Sequence, residues 1–568
     1  MHGSRVVFFN YALAREMGLI PPRHPDLMTP ELGDALVDAF SVRIINEYDL
    51  ERKRRFGPDT RLDRTYMATR YLALQHPGRT GKTSGDGRSV WNGTVLHGGA
   101  TWDVTSCGTG VTRLCPAMAA EQVLLRTGND DADYGCGTAT VEEGLIAALM
   151  SETFHRNGIA TERVLAVLEL ADGFAVNVRA GRNLLRPSHF FVHLKQRRLR
   201  ALTAVADCFI ERQIENGAFP GLRGRRQRYR RLAQEAARTF GRLAATFERE
   251  YVFCWLDWDG DNILADGGII DYGSVRQFGL FHREYRFDDG PRWSTTIPEQ
   301  RRKARYIVQT FAQIRDYLIT GRKPPLRSMA RDHVLRLFDR EFSRTRDLLL
   351  LRDVGFDPRT RRSLLERERR AVREFSLCHA WFERARSARG PRKVADGISW
   401  NAIYSMRDLL RELPGRMLER GSPLPAREVL ELALSTYATP SDRQPTALRL
   451  RRAARFVRAY MRLVEVAARR AGRSFPLMLG DIAARSAIIN RADRVTGDGV
   501  LYAAERLARL RRRLGPDGIY EVVRRFGAHQ TRRPESKPVE PWDRNGRAEI
   551  DAILGSLIDL VASCRHGL

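Results

Sequence analysis

The stretch Phe253–Gly273, FCWLDWDGDNILADGGIIDYG, sets five aspartates and one asparagine among short apolar runs. Tyr251 to Leu256 lead in, an Asp/Gly-rich turn follows, then Ile263-Leu264, a second turn at Asp266-Gly267-Gly268, and Ile269-Ile270-Asp271-Tyr272-Gly273. Short β-rich runs broken by Asp and Gly predict strand, loop, strand. Asn262 and Asp271 leave the two arms of this hairpin, so both side-chain oxygens can converge on one point. One carboxamide and one carboxylate suit Mg²⁺, which takes oxygen ligands and keeps several positions for water and phosphate. Asp261, beside Asn262, is then free to accept a proton from an attacking hydroxyl. A solvated acidic turn accounts for the same residues without a ligand. An EF-hand does not, because its sixth position would be Asn262 instead of Gly and its twelfth Gly268 instead of Glu.

The whole chain has 568 residues, 43% of them hydrophobic, enough for about two to four domains with real cores. No apolar run is long enough to span a bilayer, and the N-terminal MHGSRVVFFNYALAREMGLI lacks a signal-peptide pattern, so a soluble, cytoplasmic protein with no membrane partner is expected. Basic residues outnumber acidic ones 96 to 68, a net charge of +28. Nearly all are Arg, so a compositional bias explains the excess as well as a nucleic-acid partner does. No zinc-finger, RNP or homeodomain signature accompanies it, and nucleic acid is not the expected partner. Seven cysteines (107, 115, 136, 208, 254, 378 and 564) form no CxxC pair and no Cys/His cluster, which predicts neither a disulfide framework nor a structural metal.

Upstream, Thr29-Pro30-Glu31 caps a helix. GRTGKTSGDGRSVWNGTVLHGG, residues 78–99, then offers Gly85 and Gly87 with Lys82 and Arg88. Glycines admit backbone N–H groups close to phosphates and the cations add charge. A P-loop is excluded, since the required glycine five positions before Gly81 is His76. A Gly-rich hairpin without a ligand is the alternative. Residues 138–157 carry helical periodicity ending at Asn157-Gly158, and VLAVLEL, Asp172-Gly173 and FAVNVRA predict a hairpin bearing Arg179, with Arg186 seven positions on. From about 187 the chain reads as helical, near 190–216, 225–250, 298–320, 327–345, 359–388, 400–419, 425–437, 445–471, 476–491 and 499–513. A polar, Pro-rich linker follows at 527–542, then a last helix.

A strand-rich lobe with a Gly loop, a helix, then a helical lobe carrying an acidic hairpin is the plan of an α+β, two-lobed, protein-kinase-like fold. The predicted parts are an N-lobe at 1–186, a helical C-lobe at 187–400 and a helical C-terminal region at 401–568. In detail the chain resembles the selenoprotein O family, kinase-like proteins that transfer AMP from ATP to protein hydroxyls. Gly85-Asp86-Gly87-Arg88 is similar to the family's GDGR loop, and Trp102-Asp103-Val104 with Gly108 and Gly110 to its WDLQLKGAG strand. Ser151-Glu152 with Gly158-Ile159-Ala160-Thr161 resembles SEAMHALGIPT, and Asp261-Asn262 with Ile270-Asp271-Tyr272-Gly273 resembles TDN and IDYG. Arg179 and Arg186 keep the spacing of the family's two phosphate-contacting arginines.

The resemblance implies a Mg²⁺- or Mn²⁺-dependent adenylyltransferase with ATP as co-substrate and protein Ser, Thr or Tyr as acceptor. It places the triphosphate on Arg88, Arg179 and Arg186 with Gly85, Gly87 and Gly137 nearby, the metal on Asn262 and Asp271, and the base at Asp261. ATP would sit reversed relative to protein kinases, its α-phosphate facing the acceptor. The chain departs from the family where the nucleotide lysine falls on Cys107, its helix glutamate on Ala147 and the aspartate of a second Gly-Asp-Gly on Cys136. Lys82 and Glu143 are the expected compensations, and the family's C-terminal redox pair is not expected, Cys564 standing alone. A pseudoenzyme scaffold is the second reading, an Arg-rich nucleic-acid binder the third, and transfer of the γ-phosphate a further variant of the first.

Overall fold

The computed structural model describes residues 3–53, 55–58, 60–61, 63–72, 83–115, 118, 123–128, 136–254, 256, 260–273, 275–281, 284–286, 294–390, 392–393, 399–537, 539 and 547–563. Gly78 to Lys82, Trp255, Asp257 to Asp259 and Cys564 lie outside them.

Six antiparallel strands form the N-terminal sheet: β1 (Arg5–Phe9), β2 (Met67–Leu72), β3 (Thr83–His97), β4 (Ala100–Cys107), β5 (Arg163–Glu169) and β6 (Ala175–Gly181), in the order β1-β5-β6-β4-β3-β2. β3 and β4 are joined through Gly98 and Gly99, both at positive φ (57° and 73°), as a two-residue hairpin turn requires. β5, RVLAVLE, is buried along its whole length, consistent with its Val/Leu-rich centre. Helix Val141–Asn157 packs on β5 and β6. The Thr140 side chain caps its start while Glu143 reaches back to the Thr140 N–H, and Gly158 closes its end in the left-handed conformation.

The rest is mostly helical, with a few two-stranded ribbons, so the architecture is α+β with two kinase-like lobes. Helices Arg225–Glu250, Ile297–Thr320 and His333–Val354 pack on one another. Several expected helices are divided: 190–216 is Pro187–Lys195 and Leu199–Glu215, parted at Arg197 (φ 57°), and 359–388 is Pro358–Arg367 and Arg369–Glu383. The helix expected at 499–513 continues to His529 across a break at Gly515-Pro516, where the second segment restarts with proline in its first turn. This Gly499–His529 helix packs against β1 and the Val141–Asn157 helix. One apolar cluster therefore runs from Phe8 through Phe311 to Phe526, and a second gathers residues between Leu350 and Ile482. Among the described residues no helix is long and apolar enough to cross a membrane.

Two features place the acidic hairpin. Helix Arg225–Glu250 ends at Tyr251 in left-handed geometry, and Val252–Phe253 then pairs with Arg276–Gln277, so the chain enters and leaves the hairpin through one ribbon. Inside it, Ile263 bridges Ile269, whose N–H donates to the Ala160 carbonyl (3.0 Å) and whose carbonyl accepts from Glu162 N–H (2.9 Å). The arm leading to Asp271 is thereby stitched to the N-terminal lobe just before β5.

The cysteines correct one expectation. Cys115 and Cys136 form a disulfide, their Cα atoms 5.6 Å apart. The 21-residue separation carries no motif, but folding brings both flanks to one point: the N–H groups of Thr112 and Gly137 both donate to the Gly87 carbonyl at 3.1 Å.

Candidate active site

Asp261 is 4% exposed at the base of the hairpin. Gly260 before it has φ 77°, and a side chain there would run into Pro187, so the backbone can lie against the start of helix Pro187–Lys195 only as glycine. Arg186 caps that helix from outside. Its backbone N–H donates to His189 Nδ1 (2.8 Å), and burial, reinforced by the Arg186 charge, pushes the imidazole down to about 3, keeping it neutral as the acceptor. The Arg186 guanidinium donates to Asp261 Oδ1 at 2.7 Å and reaches Asp86 Oδ2 at 3.4 Å. A single buried cation thus ties the Gly-rich strand of one lobe to the hairpin of the other. Burial raises the Asp86 carboxyl, but Arg186 and Arg179 outweigh it and hold the group below its ordinary range.

Asp271 occupies left-handed backbone space (φ 66°), uncommon for a non-glycine residue. Its N–H donates to Glu162 Oε1 (3.4 Å), and its carboxylate accepts from Gly273 N–H (3.4 Å). Glu162 is fully buried, and burial lifts its carboxyl above the ordinary range although Arg179 stands 3.8 Å away. Arg179 projects from β6, opposite Thr105 of β4 and Val164 of β5. Burial disfavours its charge, yet Glu162, Cys107, Asp271 and Asp86 together raise its pKa.

Arg88 donates to the Thr138 carbonyl (3.1 Å) and to both Glu143 oxygens (3.1 and 3.2 Å). Glu143, expected to stand in for the missing helix acid, therefore caps its helix and holds Arg88. Gly85 and Gly87 lie within β3, where a loop is expected. At Gly85 a side chain would strike the Thr69 carbonyl and Leu114, so the glycine admits β2 closely. Gly137, at φ 78°, pairs with Gly87. Cys107, where the resemblance puts the family's lysine, is 2% exposed in β4 and pairs with Ser89 beside Arg88 on one side and with Asn177, two residues from Arg179, on the other.

Arg88, Arg179, Arg186, Asp86, Asp261 and Asp271 thus form one electrostatic cluster, three cations among carboxylates. Such a set can bind a polyanion by exchanging internal partners for phosphate oxygens. Among the described residues no three His, Cys, Asp or Glu side chains cluster as a metal site. Asn262 and Asp271 have the donor chemistry a hard divalent cation takes. Both offer oxygen, Asp271 has no ion pair among the described residues, and such an ion needs only one or two protein ligands when phosphate supplies the rest. Sequence reasoning misses Asp86 and Glu162. The Thr161-Glu162-Arg163 run, two charges entering an apolar strand, is the one signal for Glu162.

Comparison with known proteins agrees with the motif reading. The chain is 29% identical over 197 residues to the protein nucleotidyltransferase YdiU of Burkholderia pseudomallei (strain K96243), covering 33% of each chain. It is 29% identical over 197 residues to that of Paraburkholderia xenovorans (strain LB400), covering 33% of this chain and 34% of the relative. Against that of Shewanella sp. (strain MR-4) it is 25% identical over 231 residues, 39% of this chain and 43% of the relative. The chain thus matches between 33% and 43% of the length of these curated relatives, and no protein-family model matches it. The resemblance to the selenoprotein O family, as a divergent relative, stands on these similarities.

Proposed function

We propose that the chain is a protein adenylyltransferase, moving AMP from ATP to Ser, Thr or Tyr hydroxyls of protein substrates with Mg²⁺ or Mn²⁺. The observation that carries this reading is the Arg186 bridge between Asp261 and Asp86, beside Arg179 and Arg88. The named relatives are nucleotidyltransferases, which supports nucleotidyl transfer in this one.

In this reading the triphosphate takes the three arginines, and Arg186 leaves Asp261 for a phosphate oxygen. Asp261 then accepts the proton of the acceptor hydroxyl as that oxygen bonds to the α-phosphorus. The bond between the α-phosphorus and its bridging oxygen breaks, and pyrophosphate departs. Asn262 and Asp271 would hold the divalent cation, which when bound neutralises charge on the phosphates. Glu162 holds the Asp271 backbone, and the arginines stabilise charge in a site that needs little reorganisation.

Incubation with ATP labelled at the α- or the γ-phosphate, beside Asp271→Ala, tests this. Label from α-ATP that the substitution abolishes is expected. Label from γ-ATP alone makes the protein a kinase. A second reading, a nucleotide-binding scaffold without transfer, is favoured by the buried Cys107 and Ala147 where the family has its lysine and glutamate. Nucleotide-induced thermal stabilisation with no label from either ATP is its expected signature.

A further inference from the structure

At the turn of the acidic hairpin, the end opposite Asn262 and Asp271, lies a cavity of about 290 Å³ between helices Leu199–Glu215 and Arg225–Glu250. Its walls include the buried Phe209, Phe219, Leu232 and Phe311. Two polar side chains that line it, the buried Gln213 and the half-buried Asp266, have hydrogen-bonding capacity left over among the described residues. Gln213 is 6% exposed, and its carboxamide has no hydrogen-bond partner among the described residues. Asp266 accepts from Gly268 N–H (3.3 Å) and from the Asn183 amide, and no arginine or lysine pairs with it among the described residues.

The two arginines that line the cavity each have another partner. Arg182 reaches Glu16 (3.4 Å) and stacks on the Trp102 ring at 4.8 Å, and Arg242 pairs with Glu341 (3.4 Å). Glu235 is taken by Arg231 (2.8 Å) and Arg238. In a chain with a large excess of arginine, Asp266 is a carboxylate kept without one. Burial pushes its carboxyl up to about 6 against hydrogen bonds that lower it, and a cation bound beside it would lower it further.

We propose that this cavity is a ligand site for a small organic ammonium ion, its nitrogen donating to the Asp266 carboxylate and the Gln213 carboxamide oxygen, its short apolar body resting on Phe209, Phe219, Leu232 and Phe311. Aromatic faces favour a cation beside them, and the volume lies at the small end of small-molecule sites. The proposal is independent of nucleotide transfer, since none of these residues belongs to the arginine cluster.

The test is calorimetric titration of the full chain with phenethylammonium chloride and, separately, with the similarly sized anion 3-phenylpropionate. Wild type should bind the ammonium saturably at one site and the anion more than about tenfold more weakly. Asp266→Asn and Gln213→Leu should each weaken ammonium binding, the former by more than about tenfold, as expected for a lost charged hydrogen bond. If circular dichroism shows that Asp266→Asn does not fold, Gln213→Leu decides. No saturable ammonium binding up to about 10 mM, binding unchanged in the folded variants, or equal binding of the anion overturns the proposal.

Discussion

The Arg186 guanidinium donates to Asp261 at 2.7 Å, and both side chains are buried. The proposed base is therefore masked by the cation proposed to grip the triphosphate, so ATP must exchange one partner for the other before Asp261 can take a proton. Asp261→Asn loosens the mask and removes the base. ATP affinity at least as tight as wild type, with AMP transfer about 10²–10⁴-fold slower, is expected in equilibrium titration and α-label assays. Unimpaired transfer in this variant would remove Asp261 from the chemistry.

Cys107 of β4 lies between the β3 strand that carries Arg88 and the β6 strand that carries Arg179. Restoring the family's lysine alone, Cys107→Lys, should bury a third cation without its acid and lower stability by about 2 kcal/mol or more in denaturant unfolding. Adding Ala147→Glu should recover most of the loss. A double variant no more stable than the single one would mean that the two positions do not face each other.

The Cys115–Cys136 bridge closes a 21-residue loop whose ends both rest on Gly87. Chain-entropy arguments give such a loop about 3 kcal/mol of stabilisation. Dithiothreitol should therefore lower the thermal midpoint of wild type, and Cys115→Ser/Cys136→Ser should unfold at that lower temperature whether or not the reductant is present. A wild-type midpoint insensitive to reduction would contradict this.

Glu169 at the end of β5 receives Arg511 Nη2 (2.6 Å) and Arg5 Nε (2.7 Å), linking the sheet to the Gly499–His529 helix. Hydrogen bonds from Arg511, then Arg5, hold its carboxyl at about 2 against 4.5 ordinarily, with burial opposing them. The folded value is the depressed one, so the stabilisation is whole above pH 4.5 and is lost as pH falls through about 2. After discounting for the 40% exposure of Arg5, about 1–2 kcal/mol should disappear over this window. Glu169→Gln should be less stable at neutral pH and flatter between pH 5 and 3 in chemical denaturation.

What the sequence shows of this site follows from local chemistry. Asp261, Asn262 and Asp271 sit in a short Asp/Gly run between β-rich segments, and Arg179 lies on a plainly alternating strand, so type and position agree. The helix breaks at Arg197 and Glu368 are hidden because apolar periodicity continues across them. Gly515-Pro516 reads as a stop, since no local signal says that a second segment resumes on the same core. Glu162 is obscured by its apolar surroundings, and the disulfide and the Asp266 cavity depend on residues far apart in sequence. Pairings of that kind belong to tertiary packing, which periodicity does not encode.

Asn157, at the end of the Val141–Asn157 helix, donates to the Gln530 carbonyl (3.1 Å) and accepts from Arg532 N–H (2.8 Å). On a ribosome adding about 5–20 residues per second, the helix emerges roughly 20–70 s before these partners exist. The Gly499–His529 helix thus joins β1 and the Val141–Asn157 helix long after both are made. A nascent chain stalled before residue 499 should present the outer face of the Val141–Asn157 helix uncovered to chaperones.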